Sequence, residues 1–283
     1  MAKTHDLKRR IRSIKNTMQV TKAMKMVSSA RLRRAQERIL AARPGALATR
    51  RVLSSLAARA NPELHPLLNQ RPLRRVEIVL ITSDRGLCGS FNANLLKMGV
   101  QFVLSRPSEE VSVLTVGRRG RDAVRRRRLQ SSGEWLDVFR NLEFGTARAI
   151  AEDLTRRYTN EEIDAVFIAY NEFKNVASQK PVIEQVLPVP REELREATED
   201  YIYEPDPATL LDAILPAYVR MEIWRALLES AAAEHAARMT AMDSATKNAK
   251  ELTEALTLHM NRVRQASITT EIIEVVSGAE ALG

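Results

Sequence analysis

The two ends of the chain constrain its fold most, because each carries a long helical pattern that few glycines or prolines interrupt. From Leu7 onward, positions spaced alternately four and three apart form a largely apolar series over about five heptads. The series is Leu7, Ile11, Ile14, Met18, Thr21, Lys25, Ser28, Leu32, Ala35, Ile39 and Ala42. Around its polar middle the apolar residues shift to Val20, Met24 and Val27. A straight helix drifts against a heptad repeat, which predicts that the buried face follows this shift.

The C-terminal end carries a second helical pattern of the same kind. Between Pro207 and Gly278 there is no glycine, and the only proline is Pro216. The series with alternating spacing is Met242, Ala245, Ala249, Leu252, Leu256, His259, Val263 and Ala266. A helix from Pro216 to Val276 would be roughly 90 Å long. Two such helices at opposite ends of one chain predict a long antiparallel coiled coil.

The last part of the C-terminal pattern, ASITTEIIEVVSGAEAL, is apolar on several faces. Its β-branched apolar residues are Ile268, Ile272, Ile273, Val275 and Val276. A helix that is apolar nearly all round needs cover on most sides, and the N-terminal helix can cover only one. The sequence therefore predicts that another protein surrounds this end.

The middle of the chain alternates between strand and helix patterns. Predicted strands are 76–83, 111–116, 134–139 and 163–170, with a further extended run at 180–189, and predicted helices are 89–105, 118–128 and 144–158. Strands separated by single helices predict an α/β fold with a parallel, Rossmann-like sheet and right-handed crossovers.

These patterns divide the chain into four segments. They are an N-terminal shaft helix at 1–60, a linker at 61–75, the α/β domain at 76–195 and a C-terminal shaft helix at 207–283. Proline disrupts a helix interior, so Pro44-Gly45 predicts a kink or an interruption within the first helix.

The loop in VEIVLITSDRGLCGSFNANLL has the strand, glycine loop and helix order of phosphate-binding sites. Its glycines, Gly86 and Gly89, are three apart and no Lys-Ser/Thr follows, so neither the Walker nor the dinucleotide pattern is complete. A second pair, Gly117 and Gly120, also follows a predicted strand. Glycines in such places relieve tight turns, and this structural role is favoured over phosphate binding.

Other motifs for chemistry are missing from the sequence. Cys88 is the only cysteine, and the four histidines are scattered, which excludes an internal disulfide and any zinc-ligand spacing. No nucleophile has a histidine and a carboxylate in a known arrangement around it. The sequence predicts a non-catalytic protein with no cofactor and no metal.

The net charge of +9 is concentrated at the N-terminus. Residues 1–50 hold 14 Lys and Arg against Asp6 and Glu37, which gives +12 and leaves −3 for the remainder. Such a segment could face nucleic acid, anionic lipid or an acidic protein surface.

Three long motifs carry a resemblance to a known family. They are IRSIKNTMQVTKAMKMVSSARLRRAQ near the start, ITSDRGLCGSFN after the first strand, and EHAARMTAMDSATKNAKEL followed by NRVRQASITTEIIEVVSGAEAL at the end. In order and over essentially the whole chain, they resemble the gamma subunit of F-type ATP synthases.

The resemblance implies a central-stalk rotor subunit that transmits torque between a membrane ring of c subunits and a catalytic hexamer of alpha and beta subunits. It implies contact with the epsilon subunit and the c-ring, one copy per complex, and no nucleic acid. The chain starts almost at the shaft helix, which favours a bacterial protein, peripheral on the cytoplasmic face of the inner membrane.

Site residues follow from the resemblance where the motifs align. Lys22, Met24 and Lys25 match the helix region that faces an acidic loop of beta, and the loop from Arg85 to Cys88 matches a neighbour of that contact. Arg238, Gln265, Thr269 and Glu271 match positions tied to coupling and to contact with the ring of beta subunits.

Two other functions stay open on the residues alone. The first is a nucleotide-dependent α/β enzyme with helical arms, which would bind ATP or a dinucleotide as an isolated chain. The incomplete glycine patterns argue against this enzyme. A nucleic-acid-binding coiled-coil protein would bind DNA or RNA in a salt-sensitive way, although the sequence has no known reading module.

Overall fold

The structure is a computed structural model that describes residues 2–57, 65–190 and 206–280. The helices are α1 (Ala2–Ala57), α2 (Phe91–Leu104), α3 (Arg118–Arg127), α4 (Phe144–Thr159) and α5 (Pro207–Glu280), with short 3₁₀ helices at Pro66–Leu68 and Val138–Arg140. The strands are β1 (Arg75–Ile81), β2 (Glu110–Val116), β3 (Ser131–Trp135), β4 (Ala165–Phe173) and β5 (Gln179–Leu187). Parts of the predicted segments, namely 58–64, 191–195 and 281–283, lie outside the described residues.

The chain forms two compact units. The terminal helical unit comprises Met1–Ser28 and Met239–Gly283, and the sheet unit comprises Ser29–Arg238. Helices α1 and α5 each contribute residues to both units.

In the terminal helical unit, α1 and α5 pair in an antiparallel direction, as the sequence predicts. Thr21 Oγ1 lies 2.8 Å from Thr246 Oγ1, and Lys25 Nζ lies 2.6 Å from Asp243 Oδ1. Residue numbers therefore increase along α1 in the direction in which they decrease along α5. The predicted shift of the buried face is wrong, because Val20 and Val27 are 58% and 53% exposed. Thr21, in the polar middle of the series, stays buried because its hydroxyl bonds across the pair.

The buried face of α5 differs from the predicted series at three positions. Leu252, His259 and Ala266 are exposed, so their assignment to the seam is wrong. The buried or half-buried positions of this stretch include Met242, Ala245, Thr246, Ala249, Thr253, Leu256, Met260, Val263 and Ser267. Thr253 can be buried because its hydroxyl donates to the Ala249 carbonyl at 2.8 Å.

The sheet unit contains one five-stranded sheet with the order β3-β2-β1-β4-β5. Strands β1 to β4 run parallel and are joined by helices, as predicted, whereas β5 pairs antiparallel with β4. The predicted strand 134–139 is wrong in its limits, since β3 ends at Trp135. Asp137 takes a left-handed conformation (φ 57°) and its amide donates to Asp84 Oδ1, which turns the chain into a 3₁₀ helix.

Both faces of the sheet are covered, because successive β1 residues point to opposite sides. Val79 and Ile81 belong to a core with residues of α4 and α5 as well as Leu53 and Leu56 of α1. Ile78 and Leu80 on the other face join a core with residues of α2 and α3. The sheet therefore holds α5 on one side and leaves its strand ends free to carry loops.

Helix α1 passes through Pro44 without the predicted interruption. A proline removes one helical N–H and disturbs one turn. Leu53 and Leu56, beyond the proline, are almost fully buried in the core of the sheet unit. Their burial stabilises the continuation of the helix.

Candidate subunit-contact surfaces

The loop between β1 and α2 is held rigidly by its own polar residues. Ser83 donates its amide to Asn92 Oδ1 at 3.0 Å and its hydroxyl to the Arg85 carbonyl at 2.6 Å. Leu87 and Gly89 have positive φ values of 62° and 57°, which form the tight turn. This turn places the side chains of Arg85 and Leu87 in solvent.

The glycines of this loop and of the β2–α3 turn serve close packing. A Cβ atom on Gly117 would lie 2.2 Å from the Thr82 carbonyl oxygen, and one on Gly86 would lie 2.7 Å from an Arg119 nitrogen. The Gly120 amide donates to Thr82 Oγ1 at 2.7 Å. The two loops thus lock into each other, which is the structural role that the sequence favours over phosphate binding.

Arg238 connects α5 to the glycine loop. Its guanidinium lies 2.7 Å from Glu234 Oε1 and donates to the Gly86 carbonyl at 3.3 and 3.4 Å. Both side chains of the ion pair are more than nine-tenths buried. Burial raises the pKa of Glu234, and the charge of Arg238 opposes this rise. Arg238 therefore positions the loop from inside the sheet unit and has little surface to offer a partner.

Cys88 lies on the inner side of the same loop. Its side chain is 2% exposed and packs with Phe91 and Ala233. Burial raises the pKa of the thiol, and the Ser83 side chain, 3.8 Å from the sulfur, partly offsets this rise. Of the stretch from Arg85 to Cys88, only the tip at Arg85 and Leu87 is available for contact.

In the terminal helical unit, the three predicted residues of α1 differ in their surroundings. Lys22 is exposed and makes no ion pair with any described carboxylate, whereas Lys25 is half-buried and bonded to Asp243. This bond and one from Lys247 lower the pKa of Asp243. Met24 is half-buried. Lys22 lies among the exposed apolar side chains of Val20, Met26 and Val27.

Gln265, Thr269 and Glu271 lie on the end of α5, where every described side chain from residue 268 onward is exposed. The register set by Thr21 and Thr246 places the first residues of α1 opposite about residue 265 of α5. Later residues therefore have no α1 beside them. The apolar side chains of Ile268, Ile272, Ile273, Val275 and Val276 are 48% to 71% exposed.

One polar cluster was missed by the sequence analysis. Arg225 pairs with Glu184 at 2.5 Å, Glu222 at 2.6 Å and Glu229 at 3.3 Å, and donates to the Tyr170 hydroxyl at 2.6 Å. Burial opposes the charge on Arg225, but the surrounding carboxylates raise its pKa overall. Residues 222, 225 and 229 have the three and four spacing of one helix face, and this spacing was the available signal.

The described residues contain no group of three or more His, Cys, Asp and Glu side chains that could hold a metal ion. None of the helices in the described part of the chain is both long enough and apolar enough to cross a membrane.

Comparison with known proteins identifies the family. The family model described as ATP synthase matches residues 3–282. The ATP synthase gamma chain of Anaeromyxobacter sp. (strain Fw109-5) is 51% identical, with 100% of both chains covered, and that of Solibacter usitatus is 54% identical over 98% of each.

Solved structures share the fold. A chain from the central stalk and c-ring of the Tetrahymena thermophila mitochondrial ATP synthase is 28% identical, with a TM-score of 0.62 over 80% of this chain and 99% of that one. A chain of the Euglena gracilis mitochondrial ATP synthase in rotational state 3 has a TM-score of 0.73 at 21% identity, covering 99% and 95%. With its long terminal helices, its central sheet and its full-length similarity, the chain belongs to the ATP synthase gamma chain family.

Proposed function

We propose that this chain is the central-stalk rotor subunit of an F-type ATP synthase and couples proton flow to ATP synthesis by transmitting torque. It is a non-catalytic subunit, and the chemistry occurs on other chains of the complex. The observation that carries the proposal is the exposed apolar end of α5, which continues past the start of α1. A lone protein in water rarely keeps such a surface, whereas a rotor tip needs one inside a sleeve of other subunits.

The sleeve in this proposal is the hexamer of alpha and beta subunits. Gln265, Thr269 and Glu271 lie on the exposed end of α5 and would contact it directly. Apolar side chains around the helix would slide on the sleeve without the directional bonds that would lock one orientation. Polar residues among them would form hydrogen bonds with the sleeve only in particular orientations of the shaft.

A second contact would involve the basic face of α1 and an acidic loop of a beta subunit. Lys22 is the residue best placed for it, since it is exposed and unpaired within the described residues. Lys25 would contribute less, because Asp243 already neutralises it. Exposed ion pairs are weak and screened by salt, which suits a contact that has to break in each rotation.

Arg238 and Cys88 would act on coupling through the glycine loop. Arg238 holds the Gly86 carbonyl, and the buried Cys88 packs against α5, so a rotation of α5 carries the loop tip with it. Arg85 at the tip is the exposed side chain that would meet a neighbouring subunit. Coupling of rotation to the catalytic sites then requires only that each orientation of the shaft favours a different conformation of the surrounding subunits.

The proposal places the sheet unit at the base of the rotor, in contact with the epsilon subunit and the c-ring. One copy per complex follows, because a single asymmetric shaft has to face three catalytic sites in turn. Attachment to the bacterial inner membrane on its cytoplasmic face would be peripheral and would depend on the complex.

Co-purification from membranes in a mild detergent tests this function. A tagged chain is expected to bring alpha, beta, epsilon and c subunits with it, in a ratio of one copy to three beta subunits. Recovery of the chain without alpha and beta subunits would overturn the proposal. Tight ATP binding or salt-sensitive DNA or RNA binding by the isolated chain would instead support an enzyme or a nucleic-acid-binding protein.

A further inference from the structure

A cleft in the sheet unit collects four arginines from two parts of the chain. Arg31, Arg34 and Arg38 come from α1, and Arg140 comes from the end of the 3₁₀ helix after β3. We call this cleft of about 260 Å³ the basic cleft. The three positions on α1 are three and four apart, so they lie on one face of the helix.

No ion pair balances the charge of the basic cleft within the described residues. No carboxylate is among its lining residues, and none of the four arginines forms an ion pair with a described Asp or Glu. Like charges at this spacing on a helix repel each other. The neighbouring Arg33, which points away from the cleft, does have a partner in Glu37 at 3.2 Å.

The floor of the basic cleft presents a buried polar atom without a partner. His235 of α5 lines the cleft, and its Nδ1 is buried with no hydrogen bond among the described residues. The remaining floor is apolar and includes Ala35, Leu228 and Ala231. His235 therefore lines the cleft with its ring, while its buried Nδ1 offers no surface that a ligand could reach.

One arginine of the cleft is already oriented by the protein. Arg38 Nη1 donates to the Leu142 carbonyl at 3.2 Å, which leaves its other N–H groups free to bond elsewhere. Guanidinium groups have a planar set of donors that fits the oxygens of phosphate. A second charged cleft shares Arg140 and is also lined by Arg85 and Arg118. The carboxylates of Asp84 and Asp137 largely neutralise that second cleft.

We propose that the basic cleft binds a phosphate-type oxyanion through Arg31, Arg34, Arg38 and Arg140, close to the ring of His235. The site goes beyond the rotor function and does not depend on it. A small anion is favoured over a protein segment, because four arginines from two parts of the chain line one cleft of about 260 Å³. Each guanidinium can donate charged hydrogen bonds to phosphate oxygens.

Calorimetric titration of the full chain with inorganic phosphate tests the site, in a chloride buffer held at constant ionic strength. Saturable binding is expected. Arg34→Gln and Arg140→Gln should each weaken it about tenfold or more, because each removes charged hydrogen bonds to the anion. Arg33→Gln is the matched control: it removes the same charge from the same helix outside the cleft and should leave the affinity unchanged.

A second measurement does not depend on variants. In a chain with ¹⁵N-labelled histidine, phosphate should move the ring resonances of His235 and leave those of His259, which is exposed elsewhere on α5, unchanged. Absence of saturable binding, or an equal loss in Arg33→Gln, would overturn the proposal. Tighter binding of a glutamate-rich peptide than of phosphate would assign the cleft to a protein segment and overturn it as well.

Discussion

Lys25 and Asp243 are joined across the helix pair at 2.6 Å, one turn from Lys22, which is exposed and forms no ion pair with a described carboxylate. The two lysines look equivalent in the sequence, and the resemblance assigns both to the same contact with a beta subunit. The structure separates them: one contributes to the internal pairing of α1 with α5, and the other is free to meet a partner.

Charge reversal at these two lysines should therefore have different consequences. Lys25→Glu places like charges next to Asp243 and is expected to lower the thermal midpoint of the chain, whereas Lys22→Glu should leave it unchanged. In the assembled complex, Lys22→Glu is expected to reduce ATP-driven proton pumping at low salt, with a smaller effect at high salt. If pumping is unchanged in Lys22→Glu, the electrostatic contact has to be removed from the proposed function.

Removal of Arg238 should destabilise the sheet unit strongly. In Arg238→Met, Glu234 stays buried without its partner, which is expected to cost about 3 kcal/mol in urea unfolding. The Gly86 carbonyl also loses its donor, so Cys88, the only thiol, should react faster with a thiol reagent. The double variant Glu234→Gln with Arg238→Met should recover at least half of the stability. Equal losses in the single and the double variant would show that the buried ion pair is not the cause.

The hydroxyl pair of Thr21 and Thr246 offers a test of the polar seam. Each hydroxyl can donate one hydrogen, and each has an acceptor in its own helix: the Met18 carbonyl at 3.0 Å and the Met242 carbonyl at 2.7 Å. One of the two must donate across the pair for the 2.8 Å contact to be a hydrogen bond. Thr21→Val alone is expected to cost about 1 kcal/mol in chemical unfolding, and the double valine variant should be close to the wild type. Additive losses would exclude a bond between the two hydroxyls.

The architecture was predictable because its signals are long and repeated. A heptad series over five turns or more and three strand–helix repeats depend on no single residue, and the structure has the antiparallel helix pair and the parallel strands that they predict. Failures occur where one local bond decides the outcome. Strand β3 ends early because Asp137 turns the chain and bonds to Asp84. The seam keeps Thr253 and excludes Leu252 because a threonine hydroxyl can be satisfied by its own helix.

The proposed contact residues could be named from the sequence, but their surroundings could not. Arg238 and Cys88 belong to motifs that resemble coupling positions, and only the fold reveals that both are buried and act on the glycine loop from within. Val20 and Val27 look like core residues, and the antiparallel register leaves them on the surface. The sequence gives the identity of each side chain, whereas the exposure of that side chain depends on which helix packs beside it.

His235 should make the stability of the chain depend on pH in the mildly acidic range. Burial, with the charges of Arg238 and Arg31, lowers its pKa to about 4. Between the ordinary histidine value of about 6.5 and this value, the unfolded chain binds more protons than the folded one. Stability from the neutral imidazole is therefore present at pH 7 and is lost as the pH falls from about 6.5 toward 4, by roughly 2 kcal/mol at pH 4.5. The free energy of unfolding of His235→Gln should fall less between pH 7 and pH 4.5, because this variant has no imidazole to protonate. Urea unfolding of both proteins at pH 7 and pH 4.5, in acetate and chloride without phosphate, measures the difference, because every other titrating group is shared. An equal loss in the two proteins would mean that His235 is protonated alike in the folded and unfolded chain.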